Sequence, residues 1–121
     1  MIKPIKTNYP DLLTLEVSGW IQKHEVKELC ETLKRAHAET HHLNLYVLLS
    51  NFDGVKADAF NEADEWKNFA QFHRVAIVGD SDWAKQVARL FSFIDRKTIN
   101  CFEPSKGQAA WDWIVEAYKV I

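Results

Sequence analysis

The sequence predicts an α/β domain built on a mostly parallel sheet of four or five strands with about four helices. Three observations carry this expectation. The runs Leu43–Ser50 and Val75–Val78 are continuously apolar, as strands covered on both faces read. Segments with apolar residues at helical spacing alternate with those runs, the order that gives parallel strands joined by right-handed crossovers. Finally, 121 residues is close to the commonest size of one domain, so residues 1–121 are expected to share a single unit.

Ile2–Thr7 and Leu12–Ser18 flank Asn8-Tyr9-Pro10-Asp11, and the second run alternates as a strand with one covered face does. Pro10 and Asp11 suit a turn, which predicts a hairpin. From His24 to about Thr40 the period becomes helical, with Val26, Leu29, Cys30, Leu33, Ala36 and His37 on one arc. The central strand follows and is expected to stop at Asp53-Gly54.

Ala57–Phe72 reads as a second helix with Ala59, Ala63, Trp66 and Ala70 on its stripe. After Val75–Val78 and Gly79, Asp80 or Ser81 can cap a third helix reaching about Ile94. Ile99–Phe102 is a weaker strand. Pro104-Ser105 opens a last helix with the stripe Ala109, Ala110, Trp113, Ile114, Ala117 and Val120. The order is ββαβαβαβα. Leu45, Val47, Leu49, Ala76, Val78, Val26, Leu33, Trp66 and Trp113 form the expected core.

Composition narrows the work such a domain does. Net charge is −2, and no basic stripe interleaves with aromatics, so nucleic acid is not an expected partner. No apolar run approaches the roughly 20 residues that span a bilayer. Met1-Ile2-Lys3-Pro4 lacks the apolar stretch of a signal peptide, and a cytoplasmic location is expected. Cys30 and Cys101 sit among apolar neighbours with no metal-type spacing, and both are expected as buried free thiols.

The chemical candidates each have a plainer account. Asp53, Asp80 and Asp82 are expected at the carboxyl edge of the sheet, where three carboxylates suit Mg²⁺. Capping and turn formation account for them without a metal. His37 and His41 share i,i+4 spacing, but a helix ending near Thr40 leaves His41 and His42 in solvent. Gly79 stands alone with no phosphate-binding glycine pattern, and no nucleophile, base and acid lie at suggestive spacing. The expectation is therefore no metal, no cofactor and no enzymatic activity.

Three segments carry a further signal: Leu45–Phe52 with Asp53-Gly54 and a helix bearing Trp66; Phe72–Asp80 with Trp83 three residues on; and Cys101-Phe102-Glu103 leading into Ala109–Ile114. With Val17-Ser18-Gly19, they resemble the SpoIIAA-like proteins, small bacterial relatives of the STAS domain. The likeness runs from about Leu13 to Tyr118, and the stretch Arg74–Asp80 with Trp83 is its most specific part. The resemblance implies a (βα) superhelix, related in fold to CRAL-TRIO lipid-transfer domains, and no enzymatic activity. One departure matters. Anti-sigma-factor antagonists carry a phosphorylatable Ser after the central strand, whereas no Ser or Thr lies between Asn51 and Phe72 here. Ser81, at a helix start, is expected to be structural.

The aromatic residues are the feature a small core does not fully absorb. Five Trp, seven Phe and three Tyr are present, most in the second half. Trp83, Phe91 and Phe93 are expected to border a crevice facing Phe60, Phe69 and Phe72, between the second and third helices. Such a crevice suits a lipophilic small molecule, a membrane surface or a partner's apolar segment. The short connection Asp95-Arg96-Lys97, with Arg89 near the helix end, is expected to put cationic groups beside these rings, which suits a fatty carboxylate or a headgroup. The alternative reading is a regulatory protein–protein module without the phosphosite. Trp111 and Tyr118 share a face off the last helix's stripe and mark a candidate homodimer contact.

Overall fold

The computed structural model describes residues 1–5, 7–9, 11–39, 43–68, 71–95 and 97–116. Five strands form one sheet in the order β1-β2-β3-β4-β5. They are β1 (Ile2–Ile5), β2 (Leu12–Ile21), β3 (Leu43–Val55), β4 (Phe72–Val78) and β5 (Ile99–Phe102). The first pair is antiparallel and the other three are parallel, as the alternating pattern requires.

Because successive parallel strands are also neighbours, right-handed crossovers place their connecting helices on one face. Those helices are α1 (Lys23–Glu39), α2 (Ala57–Ala63) and α3 (Ser81–Ala88). With Leu15, Val17, Leu45, Val47, Val75 and Ile77 they enclose the larger core, centred on Trp66 and Phe91. The last helix, α4 (Gly107–Val115), crosses to the other face. There Ala110, Ile114 and Val115 pack on Leu12, Tyr46, Ala76 and Val78. Leu43–Val47 is buried at every position, since β3 is covered on both sides.

Several boundaries differ from expectation for identifiable reasons. β2 does not end at Ser18 but runs to Ile21, and β3 continues through Asp53-Gly54 to Val55. The turn-forming residues act inside the ladder: Gly19 (φ 63°) and Asn51 (φ 51°) sit where the register between the two strands shifts. The second helix does not extend to Phe72. It stops at Ala63 and tightens into a 3₁₀ segment, Asp64–Asn68, before Phe72 opens β4. Similarly α3 ends at Ala88 and passes into 3₁₀ turns at Arg89–Phe91. In both places the tightened winding keeps a large ring, Trp66 or Phe91, directed into the core.

Most of the expected core is buried, with two exceptions. Leu49 is half-buried beneath Gly79. Trp113 is also half-buried, its ring beside Phe102 at 6.0 Å, whereas Ala110, Ile114 and Val115 are the buried residues of α4. Cys30 is buried, whereas Cys101 is exposed because β5 is a short edge strand. Ala70, Ala117 and Val120 lie outside the described residues.

Candidate functional site

Five of the six candidate rings fall within the described residues, and all five join or pack against the larger core; Phe69 lies outside the described residues. Phe91 is the most enclosed, 2% exposed. Its ring lies 5.2 Å from Trp66 and 5.6 Å from Phe72, and Phe72 in turn meets His37 edge-on at 5.4 Å. Trp83 stands apart at the start of α3, edge-on to Phe52 at 5.6 Å. The eight residues from Trp83 to Phe91 correspond to about 12 Å of helix. Phe60 is half-buried under the Arg89 guanidinium, 4.8 Å from its ring centre. Phe93 is half-buried at the edge of the core.

A surface cleft of about 590 Å³ opens beside this group, on the β5 side of α3. Phe91, Ile94, Ile99 and Ala88 make it apolar, while Lys85, Arg89 and Ser92 complete its lining. Of the six candidate rings, Phe91 borders this opening. The volume suits a small organic ligand, and among the described residues the lining contains two cations and no carboxylate. The sequence named Phe91 and Arg89 beside the candidate crevice; Ile94 and Ile99, which were not among the candidate site residues, also line this cleft.

A second cleft, of about 710 Å³, was not anticipated. It lies beyond the carboxyl ends of β2 and β3 and is lined by Gln22, Lys23, His24, Lys27, Lys56, Ala57 and Asp58. The readable signal was Lys23 and Lys56 at the starts of two helices that each follow a strand, with Lys27 one turn further along the first. Helix dipoles disfavour cations there.

The metal candidates do not converge. Among the described residues no group of three or more His, Cys, Asp or Glu is placed to hold an ion. Asp53, Asp80 and Asp82 are each exposed. Asp80 does occupy the N-cap position of α3, but its side chain makes no capping hydrogen bond, contrary to the expected role. His37 spends both ring nitrogens on backbone groups, Nδ1 at 2.8 Å from the Leu33 carbonyl and Nε2 at 2.9 Å from the Gln71 N–H. His41 and His42 lie outside the described residues, as does Tyr118. Its expected companion Trp111 is half-buried, packed edge-on against Tyr9 and Tyr46.

Both thiols hold their protons above the ordinary thiol value. Burial pushes the Cys30 thiol up from its ordinary 9.0, and Glu65 reinforces the shift by accepting its S–H at 3.8 Å. Desolvation also raises Cys101, although the Lys85 ammonium pulls the other way.

The fold is that of a STAS-like module. The SpoIIAA-like family model matches residues 12–115, and the chain belongs to that family. Among solved structures, it is similar to an uncharacterized protein of Shewanella loihica with a SpoIIAA-like fold. The TM-score is 0.68 at 18% identity, over 94% of this chain and 92% of the other. No curated protein matches the chain. No helix among the described residues is long and apolar enough to cross a membrane.

Proposed function

We propose that this protein is a non-enzymatic binding module that takes an amphipathic anion, of the fatty-carboxylate type, in the cleft between α3 and β5. The observation that carries this reading is the pairing of half-buried Ala88, Ile94 and Ile99, backed by the buried Phe91 ring, with Lys85 and Arg89. An acyl chain on those apolar groups gains about 25 cal/mol for each Å² of apolar surface it covers. Its carboxylate meets these cations in a lining that, among the described residues, holds no carboxylate. Arg89 is held over the Phe60 ring, so its guanidinium is partly ordered before a ligand arrives.

A bound ligand accounts better for this arrangement than adsorption to a membrane. The chain's net charge of −2 gives weak long-range attraction to anionic lipid. The rival reading, a regulatory module for a protein partner, would work without the phosphorylation switch of anti-sigma-factor antagonists, since no hydroxyl residue lies between Asn51 and Phe72.

Native mass spectrometry with added dodecanoate tests the proposal. One ligand per chain is expected, retained by wild type and lost from Ile99→Asn. A spectrum in which wild type carries no dodecanoate, or both proteins retain it equally, would overturn the assignment. A dimer or partner adduct in its place would favour the regulatory reading.

A further inference from the structure

We propose that the cleft between the carboxyl ends of β2 and β3 binds the dianionic phosphate of a phosphomonoester. Two strand-to-helix junctions build it. The first contributes Gln22, Lys23, His24 and Lys27, and the second Lys56, Ala57 and Asp58. Ligands of open α/β sheets gather at this end of the strands. Three ammonium groups face one carboxylate, leaving a local charge of +2 on a chain whose net charge is −2.

The placement of those cations runs against local stability. Lys23 and His24 stand in the first turn of α1, at the positive end of the helix dipole. The acidic residue of that turn, Glu25, does not face them as a counter-ion. Its two oxygens accept the Gln22 and Ile2 N–H groups, each at 3.1 Å. Lys56 occupies the N-cap of α2, where a short polar acceptor is the common choice. Among the described residues, none of Lys23, Lys27 and Lys56 has a carboxylate within ion-pair distance. Positive charge that neither the helices nor an acidic partner stabilises is charge available to a ligand.

The charge count selects the ligand class. A phosphomonoester carries nearly two negative charges on one tetrahedral centre, so its oxygens can reach donors from both junctions and neutralise the local +2. A monocarboxylate would neutralise half of it. Beside the lining residue Lys56 stands Trp20, 45% exposed, with Lys56 Nζ 4.2 Å from its ring centre, which holds one of the three ammonium groups in place. Soluble phosphomonoesters and phosphatidic acid present the same group to these residues. The cleft shares no lining residue with the one between α3 and β5, so its test stands apart from that of the fatty-anion site.

Two arms test the inference. In the first, inorganic phosphate is titrated at constant ionic strength while backbone amide shifts are followed by NMR, with chloride as the control. Saturable shifts are expected at Gln22–Glu25 and Ala57–Asp58. Their half-saturation should rise about tenfold in Lys27→Gln or Lys56→Gln, the loss of one charge-assisted contact. In the second, the same proteins are sedimented with phosphatidic acid vesicles and with phosphatidylcholine vesicles. Saturable, lysine-dependent binding of phosphate alone points to a soluble ester; binding of phosphatidic acid but not phosphatidylcholine points to the lipid. Either outcome upholds the site. Shifts that are linear, matched by chloride or unchanged in both variants, together with no preference for phosphatidic acid, would overturn it.

Discussion

Trp20 lies flat against Gly54, its partner across the β2–β3 ladder, so closely that a Cβ on Gly54 would stand 2.7 Å from the indole Cζ3. Gly54 also holds φ at 141°, a conformation side chains rarely adopt. Gly54→Ala is therefore expected to destabilise the fold by about 1–3 kcal/mol and to displace Trp20 and the Lys56 ammonium above it. Urea unfolding reads the first effect, and the emission maximum of Trp20 in a Trp20-only background reads the second. A variant as stable as wild type would show that the indole yields freely.

Phe91 and Trp66 are core rings, 2% and 0% exposed and 5.2 Å apart. Truncation of either to alanine should cost about 3–5 kcal/mol, measured as a lower denaturation midpoint with an unchanged slope. Phe93→Ser, at a half-buried position, should cost distinctly less. Equal losses at 91 and 93 would contradict the difference in burial.

Burial raises Tyr46 above its ordinary 10.0 and Cys30 above 9.0. Each group holds its proton more tightly when folded than unfolded. Their contribution is fully present below pH 9 and is lost as pH climbs through the raised folded values. Thermal midpoints should therefore fall progressively above about pH 9, and Tyr46→Phe should blunt the part of the fall above about pH 10. Cys101 is exposed and is expected to add little. Stability that is flat to pH 11 in wild type would contradict this.

Mg²⁺ should leave the midpoint unchanged, because ligand binding to the folded state must stabilise it and Asp53, Asp80 and Asp82 are separately exposed. An upward shift that disappears in Asp53→Ala would reveal a site.

The sheet and its helices were legible because buried strands and amphipathic helices write strong periodicities. Leu43–Val47 and Val75–Val78 leave little other reading. The boundaries were less legible where residues do unusual work. Asp53-Gly54 reads as the end of a strand but lies within the ladder, beside the register shifts at Gly19 and Asn51, and that use depends on the neighbouring strand. Phe91 was likewise expected at a crevice rim, whereas it ends a 3₁₀ turn as a buried core ring. The lysine cleft was least legible: Lys27 and Lys56 are brought together by the pairing of β2 with β3, not by any local motif.

The most direct test of the binding account is a fatty-acid titration followed by intrinsic tryptophan fluorescence in wild type, Arg89→Gln, Ile99→Asn and Phe93→Ser. Arg89 and Ile99 line the cleft, whereas Phe93 packs at the core's edge. Saturable binding by wild type is predicted, weakened about tenfold by loss of the guanidinium contact and abolished by Ile99→Asn, with a smaller effect of Phe93→Ser. Failure of wild type to bind, or equal affinity in all four proteins, would contradict the account and leave the protein-partner reading in its place.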